Sequence, residues 1–303
     1  MKKINLLSTL LDGQKITYVD VGAADNIDLR WSEFAKMLNY VGFEPDKRSE
    51  IIEPNEKYAS KKIIRNALWN SKDKIILNLA RKPQLSSYYL PNSDFTNLFS
   101  DSQRFDIINN VKLESVKLDD IEINNCDFIK LDIQGGELKV LEGSVNKLIN
   151  CFGLQVEVGF ASIYLNQPLF SDVADFLKKN DFVFMDFINL IRWERDNSYS
   201  GLGQCTFGDA LFLKTPESVL SSKSFNSKIL SRYLCILLIY NRFDLIQIVS
   251  KKLDKNLKDS FSVFFKSIES LRNQQKRSIK FNLFINKVLK FLFGKNYKSH
   301  LTY

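Results

Sequence analysis

Between residues 15 and 215, short apolar runs alternate with segments whose apolar residues recur at helical spacing. That alternation predicts an α/β domain built on a parallel sheet. ITYVDVG (16–22), YVGFEPD (40–46), IIRNALW (63–69), KIILNLA (74–80), CDFIKLDIQ (126–134), LQVEVGF (154–160), FVFMDF (182–187) and DALFL (209–213) read as strands. LRWSEFAKML (29–38) reads as a helix. So does GELKVLEGSVNKLI (136–149), in which Leu138, Leu141, Val145 and Leu148 mark one face. After Pro216 the strands stop, and residues 225–300 read as helices with lysines scattered among Phe, Leu and Ile. The change places a boundary near ESVLSSKS (217–224), between a doubly wound α/β domain at 1–216 and a basic, mostly helical appendage at 217–303.

Two apolar stretches test for a membrane or export signal. MKKINLLSTLLDGQ opens with two lysines, but its apolar part is short, contains Asn5, Ser8 and Thr9, and meets Asp12-Gly13 without a small-residue cleavage site. It reads as an ordinary N-terminal helix. YLCILLIY (233–240) stops at Asn241-Arg242, too short to span a bilayer.

Composition narrows the chemistry. The 303 residues, 45% apolar and 26% charged, suit a soluble globular protein with a full core. Cys126, Cys151, Cys205 and Cys235 are far apart without a CxxC pair, the pattern of reduced, packed thiols in a cytoplasmic protein. His300 is the sole histidine and lies near the C-terminus, which argues against an internal His metal cluster or a Ser-His-Asp triad. Residues 221–303 carry 17 Lys/Arg against 4 Asp/Glu, whereas residues 1–220 are net negative, so the basic character belongs to the last quarter of the chain.

Doubly wound sheets bind ligands outside the C-terminal ends of their strands, which singles out Asp20, Glu44, Asp132 and Glu157. YVDVGAADN (18–26) has one glycine where a dinucleotide turn has three, because pyrophosphate needs close backbone approach at a helix N-terminus. A cofactor without phosphates, S-adenosylmethionine, needs only one, and nearby carboxylates favour its cationic groups. An acid at Glu44 can accept the ribose hydroxyls of either cofactor. DVGAADN also reads as a plain strand-to-helix turn. In FIKLDIQGGELKVLEGS (128–144), Gly135-Gly136 either admit a ligand or the neighbouring strand closely, or simply make a tight turn while Glu137 caps the helix that follows.

Taken in order, YVDVGAADN, GFEPD, SSYYLPN, SVKLDDI, CDFIKLDIQGGELKVLEGS, LQVEVGFASIYLNQPLFSDVADFLKKNDFVFMDF and GDALFL resemble the FkbM family of S-adenosylmethionine-dependent methyltransferases over about residues 16–213. The resemblance implies a class I, Rossmann-like methyltransferase fold and methyl transfer, usually to oxygen. Family members act on secondary-metabolite hydroxyls and on sugars of surface polysaccharides. Carried over position by position, it implies that Asp20, Gly22 and Ala23 form the cofactor turn, that Glu44 binds the ribose and that Asn66-Ala67-Leu68 approach the adenine. Asp132 and Gln134 would sit beside the methionine moiety and the acceptor, with Glu157 across the cleft. Asn26 departs from the glycine frequent in the first motif.

A sugar hydroxyl is a poor nucleophile, and with no internal histidine a carboxylate is the expected base: Glu157 or Asp132, with Glu137 behind them. Glu157 pairing with a lysine or capping a helix is the structural alternative. Tyr164 and Gln167 in FASIYLNQPLF (160–170) suit a sugar face and its hydroxyls, with Tyr88 and Tyr89 as further candidates. No metal is expected from spacing. An NAD-dependent oxidoreductase and a catalytically silent docking domain in glycan assembly are the competing readings. The helix around 277–298, with Phe281, Phe284, Val288, Phe291 and Leu292 near one face, suits packing on its own domain. It also suits peripheral contact with an anionic membrane, at its inner face for a cytoplasmic protein. Nothing resembling a nucleic-acid recognition motif accompanies the charge.

Overall fold

The computed structural model describes residues 3–23, 27–46, 48, 57–195 and 203–293, without the side chains of 282, 283 and 286–293. Asn26, His300 and the end of the basic tail lie outside the described residues. The first half of the chain forms α1 (Lys3–Leu11), β1 (Ile16–Val21), α2 (Leu29–Ser32), β2 (Leu38–Phe43), β3 (Ser60–Ile64), β4 (Ala67–Leu68), β5 (Lys74–Ala80), α3 (Ser93–Thr96), β6 (Ile107–Val116) and β7 (Phe128–Leu131). It continues through α4 (Glu137–Glu142), α5 (Val145–Ile149), β8 (Gly153–Gly159), α6 (Phe170–Lys179), β9 (Phe182–Trp193) and β10 (Gln204–Lys214). The last helices are α7 (Pro216–Leu220), α8 (Ser227–Ile239), α9 (Phe243–Lys252), α10 (Lys255–Ser260) and α11 (Ser262–Phe293).

One seven-stranded sheet has the order β3-β2-β1-β7-β8-β10-β9. Its first five strands are parallel, and β10 runs antiparallel to β8 and β9. Side chains alternate across it. Ile16, Tyr18, Leu38, Tyr40, Phe128, Leu211 and Leu213 join one core; Val19, Val21, Val41, Phe43, Ile129, Leu131, Ala210 and Phe212 join the other. Both faces are covered, so the central strands read as apolar runs.

The first face is covered by α1, α8 and α9, through residues such as Leu6, Leu7, Leu234 and Ile246. YLCILLIY is therefore apolar all round because α8 is enclosed between sheet, α1 and α9. Polar ties hold it in register with the strands. Arg232 Nε donates to the buried Asp127 carboxylate at 2.8 Å, Tyr233 Oη to Lys214 O at 2.8 Å, and Tyr240 Oη to Gln155 Oε1 at 3.1 Å. The helices after Pro216 thus share one core with the sheet. The other face is covered by Val140 and Leu141 of α4, Leu148 of α5, and Val173 and Leu177 of α6.

Four local expectations are corrected. IIRNALW is not one strand: it breaks at Arg65-Asn66, and Ala67–Leu68 leaves the main sheet to pair with β6. KIILNLA is a strand, but of a separate three-stranded sheet, β4-β6-β5. Its central strand, IINNVKLESV, escaped notice because its side chains are mostly polar or half-exposed. LRWSEFAKML makes only the single turn of α2 and a 3₁₀ turn at Ala35–Met37. The segment 136–149 divides at Gly143-Ser144, where Asp119 accepts the N–H groups of Asn146 and Lys147 and caps a new helix.

Candidate active site

A cleft of about 520 Å³ opens at the C-terminal ends of β1, β2, β7 and β8. Gly22, Asp132, Ile133 and Gln134 form its floor, Glu44 and Asp46 one wall, and Glu157 and Phe207 the other. Lys82 to Ser86 and Tyr88, carried by the loop after β5, border it from the small sheet. A cavity of about 580 Å³ lies at the opposite, N-terminal ends of β7 and β8, but its Lys214 and Arg232 are already engaged with Ile149 O and Asp127. Strand polarity and the acids that line it both favour the first cleft.

The first turn is shaped by packing. Gly22 has φ +86°, and a Cβ there would stand 1.9 Å from the Asp132 carbonyl oxygen. The N–H groups of Gly22 and Ala23 both donate to Phe43 O, at 2.9 and 3.1 Å. They are thereby turned away from any phosphate, unlike the amides of a dinucleotide turn. Asp20 lies beneath the floor: its carboxylate accepts from Tyr40 Oη at 2.9 Å and stands 3.8 Å from Lys130 Nζ.

Glu44 does line the cleft. Its Oε1 accepts from the Asp46 N–H at 2.7 Å, and burial pushes its carboxyl up to about 7. Asp46 is paired with Arg48 at 2.7 Å, and Arg48 also reaches Ser86 Oγ at 3.1 Å, joining the β2 end to the bordering loop.

The inner end is a carboxylate cluster organised by Gln134. Its Nε2 donates to Glu157 Oε1 at 3.0 Å and Asp132 Oδ1 at 3.3 Å, while its Oε1 accepts from Tyr164 Oη at 3.1 Å. Gln134 sits in the left-handed region, φ +60°, a conformation that costs a non-glycine residue about 1–2 kcal/mol and is held here by these bonds and by Ser87 Oγ on its carbonyl. Gln134 Nε2 thus holds the Glu157 and Asp132 carboxyls beside one another. Burial, then the charges of Asp132, Glu137 and Asp209, drive the Glu157 carboxyl well above the usual range. Burial and Asp132 also raise Asp209, its cross-strand neighbour, to about 6. Lys130 Nζ stands 3.3 Å from Asp132 Oδ2, and although burial opposes its charge, Asp132 and Asp20 hold it protonated. Acids outnumber this cation, so the inner cleft favours a positively charged occupant.

Other expected contacts fall elsewhere. Glu137 is a correction: it is buried beneath the 132–136 turn, its Oε1 accepting from Ile133 N at 2.9 Å and Gly135 N at 3.2 Å, so it ties the turn ahead of α4 and neither reaches the cleft nor caps the helix. Tyr164 is 2% exposed, with its hydroxyl bonded to Leu85 O and Gln134, so it stands behind the cleft wall. Gln167 Oε1 accepts from Tyr164 N at 2.6 Å and supports that residue in turn. Asn66 is exposed and Ala67 buried in β4, and neither lines the cleft. Lys82 to Leu85, Phe207, Asp209 and Lys130 were not singled out from sequence, whereas Ser86 and Tyr88 of SSYYLPN do line the cleft. Among the described residues no three His, Cys, Asp or Glu side chains are placed to hold a metal ion together.

The model of the FkbM methyltransferase domain matches residues 20–184, more than half of the chain and all of the cleft floor. The chain belongs to the FkbM methyltransferase family. Its sheet, a parallel core closed by an antiparallel hairpin, is the class I methyltransferase architecture, and its cofactor is S-adenosylmethionine. The solved structure of methyltransferase FkbM from Methylobacillus flagellatus KT is similar at 13% identity and TM-score 0.38, covering 66% of this chain and 43% of that one. The present chain thus spans less than half the length of that protein. Magnesium protoporphyrin IX methyltransferase from Synechocystis PCC 6803 is similar at 7% identity and TM-score 0.35, covering 70% and 78%. A TehB-like S-adenosylmethionine-dependent methyltransferase from Corynebacterium glutamicum stands at 11% and 0.30, covering 69% and 88%. A sequence comparison with curated proteins gave no match.

The raised carboxyls make stability depend on pH in an unusual sense. Glu44 and Glu137 lie near 7 and Asp209 near 6, each led there by burial. Between their unfolded values and those values the folded chain binds protons that the unfolded chain does not, so stability rises as pH falls through this window. The ligand-free protein is expected to melt several degrees higher near pH 6 than near pH 8, a difference on the order of 1–3 kcal/mol. Thermal scans check this; a melting temperature that falls on acidification across that window refutes it.

Proposed function

We propose that this FkbM-family methyltransferase methylates a hydroxyl oxygen of a sugar or surface glycan, or of a glycosylated metabolite. The observation that supports it most is the Asp132–Glu157 carboxyl pair, bridged by Gln134 at the inner end of the cleft. S-adenosylmethionine, when bound, supplies an activated methyl group on a cationic sulfonium. The chain's own task is then to align a hydroxyl and to take its proton. Glu157 is the base in this reading and Asp132 its partner: the acceptor's O–H bond breaks as its oxygen gains the methyl group, and the proton passes to the pair. A cation in the cleft favours the ionised form of Glu157, against the burial and neighbouring acids that push its carboxyl up. A carboxylate with a raised pKa is a stronger base than an ordinary one once it is ionised. Tyr88 and Phe207 present rings to the cleft, and Gln84 and Ser86 present polar groups, a combination suited to a sugar's face and hydroxyls. Tyr164 and Gln167 act as positioning residues that hold Gln134, and Lys130 and Asp20 support the floor from below. A methyl-transfer screen against nucleotide sugars and extracted surface glycans, with amines as comparators, tests the acceptor class. Transfer to amines alone overturns it.

Glu44 is the residue proposed to hold the ribose hydroxyls, with Gly22 and Ala23 shaping the turn beside it. Accepting two hydroxyl bonds favours its ionised form, so cofactor binding expels a proton from a group that titrates near 7. Affinity is therefore expected to weaken as pH falls from 8 to 6, by up to roughly tenfold. Glu44→Gln should remove most of that pH dependence and bind more weakly at pH 8. Calorimetry with S-adenosylhomocysteine measures both, and an unchanged pH profile in the variant rules the assignment out.

A further inference from the structure

The C-terminal helix α11 has two unlike halves. Phe264 and Ile268 are buried in the core shared with α9, and the Arg272 guanidinium donates to Gln247 Oε1. Beyond that bond no described hydrogen bond or ion pair joins α11 to another element. Residues 273–281 are exposed, and Phe281 and Phe284 leave 61% and 63% of their surface in water. Phe281, Phe284 and Ile285 are spaced i, i+3, i+4 and so share one face. Lys276 and Lys280 follow one another a turn apart on the flank of that face.

Exposed phenylalanines on the outer half of this helix, to which no described hydrogen bond or ion pair ties another element, call for an occupant, and the charge says which. After Glu269 the helix sequence contains no acid, while Arg272, Lys276, Arg277, Lys280, Lys287 and Lys290 all belong to it. A second copy of the same helix would place like charges against one another. An acidic surface would not. No described helix is long and apolar enough to cross a membrane, so α11 would lie along a surface rather than span it. From Arg272 to Phe293 the helix extends for about 33 Å, enough to lay several turns in a headgroup layer.

We propose that the outer half of α11 is an interfacial helix that seats the protein on an anionic lipid surface, its phenylalanines entering the acyl boundary and its lysines meeting the headgroups. Each cation near such a surface and each buried ring adds to the partition. The test uses the full chain in sedimentation with vesicles of phosphatidylglycerol and phosphatidylcholine, against phosphatidylcholine alone. Binding is expected to the anionic vesicles only and to weaken with salt. The Phe281→Ser, Phe284→Ser double variant and the Lys276→Gln, Lys280→Gln double variant should each lower the partition by roughly tenfold or more. All four side chains are exposed, so an unchanged melting temperature is the folding control. Absence of vesicle binding overturns the proposal, as does binding that neither variant weakens. A dimer in sedimentation velocity that the phenylalanine variant dissolves, without vesicle binding, assigns the face to a second copy instead.

Discussion

Glu157→Gln is expected to leave S-adenosylhomocysteine binding nearly intact and to lower turnover by roughly 10²–10⁴-fold, the range a positioned general base contributes. The substitution is close to isosteric, and its amide oxygen can still accept from Gln134 Nε2, which reaches Glu157 at 3.0 Å in the native site. What disappears is the proton site. In the native cluster that site is tuned by burial and by Asp132, Glu137 and Asp209, all of which push the carboxyl up. A neutral amide also adds no charge to the cluster, so Asp132 and Lys130 keep their places and the floor persists. Single-turnover assays beside calorimetry separate the two effects. Turnover close to that of the native protein would remove Glu157 as the base and leave it a role in orientation alone.

Gly22→Ala is expected to be among the most damaging single-methyl changes in the fold. Two costs combine. The backbone sits at φ +86°, where a residue with a Cβ pays about 1–2 kcal/mol. The new methyl would also stand 1.9 Å from the Asp132 carbonyl oxygen, so β1 and β7 must separate where Asp132 N donates to Val21 O at 3.0 Å. The sum should be on the order of 3–5 kcal/mol, a large share of a typical domain's stability. Gly13→Ala supplies the control, since Gly13 has φ +79° but nothing within 4 Å of its added Cβ. It should pay the conformational cost without the collision. Urea unfolding of both variants distinguishes the terms, and equal midpoints would show that the close approach to Asp132 is unimportant. The lone glycine of YVDVGAADN is thus demanded by the neighbouring strand before any cofactor is considered.

Much of the site was legible because strand ends are legible. A run of apolar residues that stops at an acid marks both a buried strand and the edge where a ligand can sit, which is how Glu44, Asp132 and Glu157 could be chosen together. Side-chain direction was not legible. Glu137 and Tyr164 lie in the same motifs as Gln134 and Glu157, yet one folds under its own turn and the other is buried behind the wall. Sequence spacing cannot distinguish a carboxylate facing a cleft from one tying a turn, because both uses need an acid at the start of a helix. The 82–85 part of the loop bordering the cleft was missed for another reason. β6, which anchors the small sheet behind it, is mostly polar or half-exposed, so the hydrophobic pattern that reveals buried strands is weak there.

The sequence by itself determined the central strand set, the acids at the strand ends, the family and the change to helices after Pro216, because local period and composition follow directly from burial on two faces. Only the tertiary structure decided that IIRNALW divides between two sheets, that α8 shares the core of the sheet, and that Lys130 stands among Asp20, Asp132 and Asp209. It also decided that Phe281 and Phe284 remain in water. These depend on contacts between residues far apart in the chain. Burial, charge balance and proton affinity are properties of such contacts, which no local pattern encodes.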